Sequence, residues 1–142
     1  MNLFITTELI GKSSRLITNN LARELLNLKL GITTEQWIIL QILSNGSTTQ
    51  KRLSEITLKN KASINSLINN LLKKELINKS ISNLDKRETI ISITDTGNNI
   101  RERGGINATK SINTALNGFS ISEIEKLNAF LERINNNLIK EM

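Results

Sequence analysis

Apolar residues repeat along this chain mostly at helical spacing. Ile10, Ile17, Leu21, Leu25 and Leu28 keep to one face of a helix running from about Asn2 to Leu28, and Gly31 follows as a stop. Thr34 then precedes Glu35 and Gln36, which suit a first turn. Trp37, Ile38, Ile39, Leu40, Ile42 and Leu43 predict a second helix, apolar nearly all round and therefore central, with Trp37 in its core. Asn45-Gly46 is a turn signal, and Ser47 to Thr49 is either a very short strand or a cap. A short third helix starts near Gln50, has Leu53 and Ile56 as its apolar positions, and ends before Lys59-Asn60-Lys61.

Asn60 suits the cap of a fourth helix, from about Lys61 to Lys74, in which Ile64, Leu67, Ile68, Leu71 and Leu72 form one stripe. The opposite face holds amides, hydroxyls and cations, with no acid until Glu75. Two β-rich runs, Ile77 to Asn83 and Glu88 to Thr94, flank a charged tip at Leu84-Asp85-Lys86-Arg87 and predict a hairpin. A fifth helix starts near Thr94 or Asp95. Gly104-Gly105 is expected to interrupt it with a kink, because interior glycines cost roughly 1 kcal/mol each relative to alanine. A last helix starts at Ser120, where Ser120-Ile121-Ser122-Glu123 has capping-box spacing. Its Ile124, Leu127, Leu131, Ile134 and Leu138 follow the rhythm of a helix packed along another helix.

These elements describe one mainly α (α+β) domain of 142 residues, a winged helix-turn-helix lobe over 34–97 between terminal helical regions, 1–30 and 98–142. The composition, 3% aromatic and without proline, suits helices packed on Leu and Ile rather than a β-sandwich. A formal charge of +6 attracts polyanions, nucleic acid or an anionic membrane surface alike. No apolar run approaches a membrane span and the first residues lack signal-peptide order, so no membrane association and a cytoplasmic location are expected. Cysteine and histidine are absent, which excludes disulfides, thiol redox sensing, the usual transition-metal sites and His-dependent catalysis. No cofactor, no metal and no enzymatic activity are expected.

In order and spacing, these elements resemble the MarR (multiple antibiotic resistance regulator) family. Asp85-Lys86-Arg87 is similar to its D-x-R wing, Ile93-Thr94-Asp95-Thr96-Gly97 to its L-T-x-x-G junction, Ala62 to Leu71 to its recognition helix, and Phe119 to Glu123 to the start of its final helix. The resemblance implies a homodimeric transcription regulator, a repressor released by a small-molecule effector, with Arg87 entering the minor groove and Asp85 orienting it. Glu75 stands where the family usually has Gly, so the fourth helix is expected to end differently here.

Base reading falls to the outer face of the fourth helix, to Asn65 and Asn69 one turn apart, with Ser63 and Ser66 expected to touch bases or phosphates and Asn70 to lie on the same DNA-binding face. An Asn amide pairs bidentately with adenine and no arginine lies on this helix, which points to an A/T-rich duplex, pseudo-palindromic if two symmetric subunits bind it. Against this, asparagine is abundant throughout the chain. Lys61, Lys73 and Lys74 are expected to hold phosphates, as are Gln50 and Lys51, and Lys86 lies beside Arg87 on the wing. Ile10, Ile17, Ile124, Leu127, Leu131, Ile134 and Leu138 are expected to join two subunits. Two alternatives remain open from sequence: a winged-helix module that docks on proteins through the same basic face, and Gly104-Gly105 as either a functional hinge or an inert irregularity.

Overall fold

The computed structural model describes residues 1–142. The elements are α1 (Leu3–Leu26), α2 (Thr34–Leu43), β1 (Thr48–Thr49), α3 (Gln50–Thr57), α4 (Lys61–Lys73), β2 (Ile77–Ile81), β3 (Thr89–Ile93), α5 (Asp95–Ala115) and α6 (Ile121–Ile139). The fold is the expected winged helix-turn-helix, mainly helical with one small antiparallel sheet ordered β1-β3-β2.

Every helix begins on a side chain that takes up one of its free N–H groups. Asn2, Thr49, Asn60 and Thr94 accept from Phe4, Arg52, Ser63 and Gly97. Thr33 with Gln36, and Ser120 with Glu123, form reciprocal capping boxes. The cap of α2 is therefore Thr33, one residue before the expected start. Thr49 meets both sequence expectations, pairing with Ile90 as part of β1 and capping α3.

The main core joins Ile39, Leu40 and Leu43 of α2, Leu53 of α3, and Ile64, Leu67, Ile68 and Leu71 of α4 to Leu76, Ile77 and Ile91 of the wing. Its apolar surface leaves water at about 25 cal/mol per Å², which seats α4 with its stripe inward. Leu25, Leu30, Trp37 and Ala108 form a smaller cluster tying α1 to α2 and α5. The apolar face of α1 is thus divided. Leu21, Leu25 and Leu28 pack within the chain, while Ile10 and Ile17 stay exposed. Ile38 also stays exposed, so α2 is less completely enclosed than its composition suggests, and so does Ile56 of α3.

Contrary to expectation, α4 ends in the left-handed way despite its glutamate. Glu75 has φ 58°, its N–H donates to the Leu72 carbonyl at 2.9 Å, and the Leu76 N–H donates to the Leu71 carbonyl at 3.0 Å. This is the Schellman arrangement, closed by Leu71 and Leu76 in the core. The Thr94 hydroxyl donates to the Glu75 carbonyl at 2.8 Å, and the Thr94 N–H to the Leu76 carbonyl at 3.1 Å. Gly97 is required here, since a Cβ would collide with the Leu76 carbonyl oxygen. The Ile93 to Gly97 junction thus clamps the start of α5 onto the end of α4.

The expected interruption at Gly104-Gly105 does not occur, and α5 runs unbroken through both residues. Gly104 makes room for Trp37, whose indole Nε1 donates to the Arg101 carbonyl at 3.1 Å. Nothing lies near the place of a side chain at Gly105. Along α1, the Ser111 hydroxyl donates to Asn20 Oδ1 at 2.6 Å and the Asn107 amide to the Glu24 carbonyl at 3.0 Å, fixing α5 against α1.

Candidate nucleic-acid interface

With Ile64, Leu67, Ile68 and Leu71 buried, helical geometry turns Lys61, Ser63, Ser66, Asn69, Asn70 and Lys73 to solvent. Asn65 is half-buried rather than free. Its Oδ1 accepts from Nε2 of Gln50, the first residue of α3, so two side chains expected to act separately are paired. Sequence spacing held no signal for this pairing, because it depends on how α3 crosses α4.

Lys74 also departs from its expected place. Its ammonium donates to the Gly31 carbonyl at 2.6 Å and to Gln36 Oε1 at 3.4 Å, tying the end of α4 to the α1–α2 loop. Lys73 has no such tie and remains exposed.

The wing pairs β2 with β3 from Ile77↔Ile93 to Ile81↔Thr89. Beyond the ladder, the Ser82 N–H donates to the Glu88 carbonyl at 3.0 Å, and Ser82 Oγ accepts from Leu84 and Asp85 at 3.2 and 3.3 Å. Asp85 Oδ1 accepts from the Arg87 backbone N–H at 3.0 Å and from the Arg87 guanidinium Nε at 3.4 Å. The arginine is nonetheless 94% exposed, as a charge held at the tip must be to reach a ligand. Lys86 beside it is also exposed.

Gln50 and Lys51 of α3, Lys61 of α4 and Arg87 of the wing line one open groove of about 540 Å³, together with Thr49, Ser54 and Thr89. Three segments distant in sequence therefore bring a lysine, a lysine and an arginine to one concavity. Glu88 is the one acid on its wall.

A second feature is apolar. No residue of α6 is buried, and Leu127, Leu131, Ile134 and Leu138 are exposed, with Ile124 half-buried. Ile10 and Ile17 on α1 are exposed too. Sequence reasoning missed neighbours on these helices, among them Phe4, Leu9 and Leu16 on α1 and Phe130 on α6, the last 56% exposed. The available signal was the seven-residue step from Leu9 to Leu16 and the place of Phe130, three residues after Leu127 and four before Ile134. No helix is long and apolar enough to cross a membrane, and no group of three or more acidic, His or Cys side chains is placed to hold a metal ion.

Comparison with known proteins agrees with this geometry. Residues 23–103 match the family described as transcriptional regulator SarA/Rot. No curated protein matches the chain by sequence. Among solved structures, AbsC, a MarR family transcriptional regulator from Streptomyces coelicolor, superposes with a TM-score of 0.84 at 18% identity, covering 96% of this chain and 93% of AbsC. The C80S mutant of MarR from E. coli, complexed with operator DNA, gives 0.78 at 18% identity over 94% of this chain and 99% of that one. BpsR of Bordetella bronchiseptica, whose DNA binding is regulated by 6-hydroxynicotinic acid, gives 0.78 at 17% identity over 91% of each chain. The MarR resemblance read from the wing and recognition helix is borne out: the chain belongs to the SarA/Rot family of DNA-binding transcriptional regulators, built on the winged-helix fold of the MarR family.

Proposed function

We propose that the chain works as a homodimer that grips a pseudo-palindromic, A/T-rich operator, laying α4 in the major groove and the wing tip in the minor groove of each half-site. The observation that carries this is the single groove where Lys51, Lys61 and Arg87 converge beside the polar face of α4. The lysines and the exposed Ser and Asn side chains suit phosphates and base edges, and Arg87 suits the strong negative potential of a narrow A/T minor groove. In this reading residues 34–97 form the DNA lobe, and 1–30 with 98–142 form the dimer base.

The dimer is supported by the apolar residues that α1 and α6 leave in water, a stripe with no counterpart inside the chain to cover it. A symmetric pair covers it with the same surface twice and sets two α4 helices on one duplex. Repression follows if the dimer occupies a promoter, with release by a small-molecule effector. The operator complex of E. coli MarR and the 6-hydroxynicotinic acid control of BpsR support both steps by analogy.

Gel-shift of the full chain on DNA from upstream of its own gene, with excess unrelated competitor, tests the proposal. A complex that survives competitor is expected. Binding no tighter than the 10⁻⁴ to 10⁻⁶ M of loose basic attraction would instead make the fold a protein-docking module.

A further inference from the structure

The geometry points to Gln50 and Asn65 acting as one base-reading unit for adenine in the major groove, an inference that rests on DNA recognition by α4. Gln50 stands at the first position of α3, held by the Thr49 cap, and Asn65 lies on the second turn of α4. Gln50 Nε2 donates to Asn65 Oδ1, and both residues are half-buried, so each side chain is held while part of it still meets solvent.

Each amide has one acceptor oxygen and two N–H donors. Their mutual bond fixes which way both amides face. It leaves Gln50 Oε1 as an acceptor and Asn65 Nδ2 as a donor, neither with another protein partner. Adenine presents the complementary pair, N7 as acceptor beside the N6 amino donor. Guanine presents N7 and O6, two acceptors, and its O6 would face the Gln50 oxygen. The acceptor and the donor thus come from two helices, because Asn65 Oδ1, already engaged by Gln50, is not the acceptor offered to the base. Gln50 is on this account a base reader rather than a phosphate contact. Locking its long side chain beforehand lowers the entropy lost on binding.

Binding sites selected by the full chain from a pool of random-sequence duplexes provide the test. Affinities of the wild type, Q50A, N65A, Q50A/N65A and Q50E are then compared on the selected site and on its single-base variants. Both single alanine variants are expected to lose the preference for adenine at the same base pair, by roughly 5- to 150-fold, with no further loss in the double variant. Q50E cannot donate to Asn65 Oδ1. Its carboxylate accepts from Asn65 Nδ2 instead, and the resulting face of acceptors should turn the preference at that base pair towards cytosine.

Losses at different base pairs, or losses that multiply in the double variant, overturn the paired reader while leaving operator recognition intact. A wild-type chain that enriches no sequence overturns operator recognition, and the pair with it. Misfolding does not mimic the expected result, since it would weaken binding to every duplex rather than the preference at one position.

Discussion

Trp37 on α2 and Gly104 on α5 occupy one space: the indole stands where a side chain at 104 would project, and its N–H bonds the Arg101 carbonyl at 3.1 Å. A Cβ at 104 would lie 2.8 Å from Cδ1 of the indole and closer still to Nε1. Gly104→Ala is therefore expected to lose about 1–3 kcal/mol by overpacking. Gly105→Ala, facing open space in the same helix, should gain about 1 kcal/mol. Urea unfolding followed by the fluorescence of Trp37, the chain's one tryptophan, separates the two. Equal gains from both would contradict the close packing.

The left-handed Glu75 gives a second test. Glycine adopts φ 58° without the Cβ penalty, so Glu75→Gly should raise stability by about 1 kcal/mol. Gly97→Ala should do the reverse, because its methyl would meet the backbone oxygen of Leu76, which belongs to the junction itself. Thermal melts of the two variants should move in opposite directions.

If α1 and α6 build the dimer, a charge in their exposed stripe should split it. Leu131→Asp is expected to sediment as a monomer at concentrations where the wild type is a dimer, and to weaken operator binding with it. Leu131 is exposed in the single chain, so a variant that merely unfolds would point to a different role for α6.

Electrostatic grip predicts a steep salt response, with a slope of log affinity against log salt of about −0.9 per neutralised phosphate. Lys73→Ala should flatten the slope by roughly one such unit and leave sequence preference unchanged. Arg87→Ala should also reduce the preference for A/T-rich flanks, since its partner is a narrow minor groove.

Local periodicity made much of this molecule legible in the sequence. The stripe of Ile64, Leu67, Ile68 and Leu71 required α4 to have one buried and one wet face, and Asn60 marked its start. The charged tip at Asp85 to Arg87 between two β-rich runs marked the wing. What stayed hidden depends on contacts between distant segments. Gly104 looks like a helix breaker until Trp37 is seen beside it, and Glu75 looks misplaced until Thr94 and Leu76 close the turn around it. Lys74 looks like a phosphate ligand until the Gly31 carbonyl is found within reach. Gln50 and Asn65 lie on different helices, and no spacing rule joins them. A two-residue strand such as β1 is too short to show any period.

The central claim is that the outer face of α4 reads a duplex. Fluorescence anisotropy with the selected site and with a shuffled duplex of equal composition tests it most directly, comparing the wild type with the triple variant Ser63→Ala, Ser66→Ala, Asn69→Ala. These three side chains are exposed, so the variant should melt like the wild type. The variant is expected to keep its charge-driven affinity and to lose much of its discrimination, retaining only the share that the Gln50–Asn65 pair and the wing supply. A triple variant that still prefers the selected site as strongly as the wild type would contradict that claim.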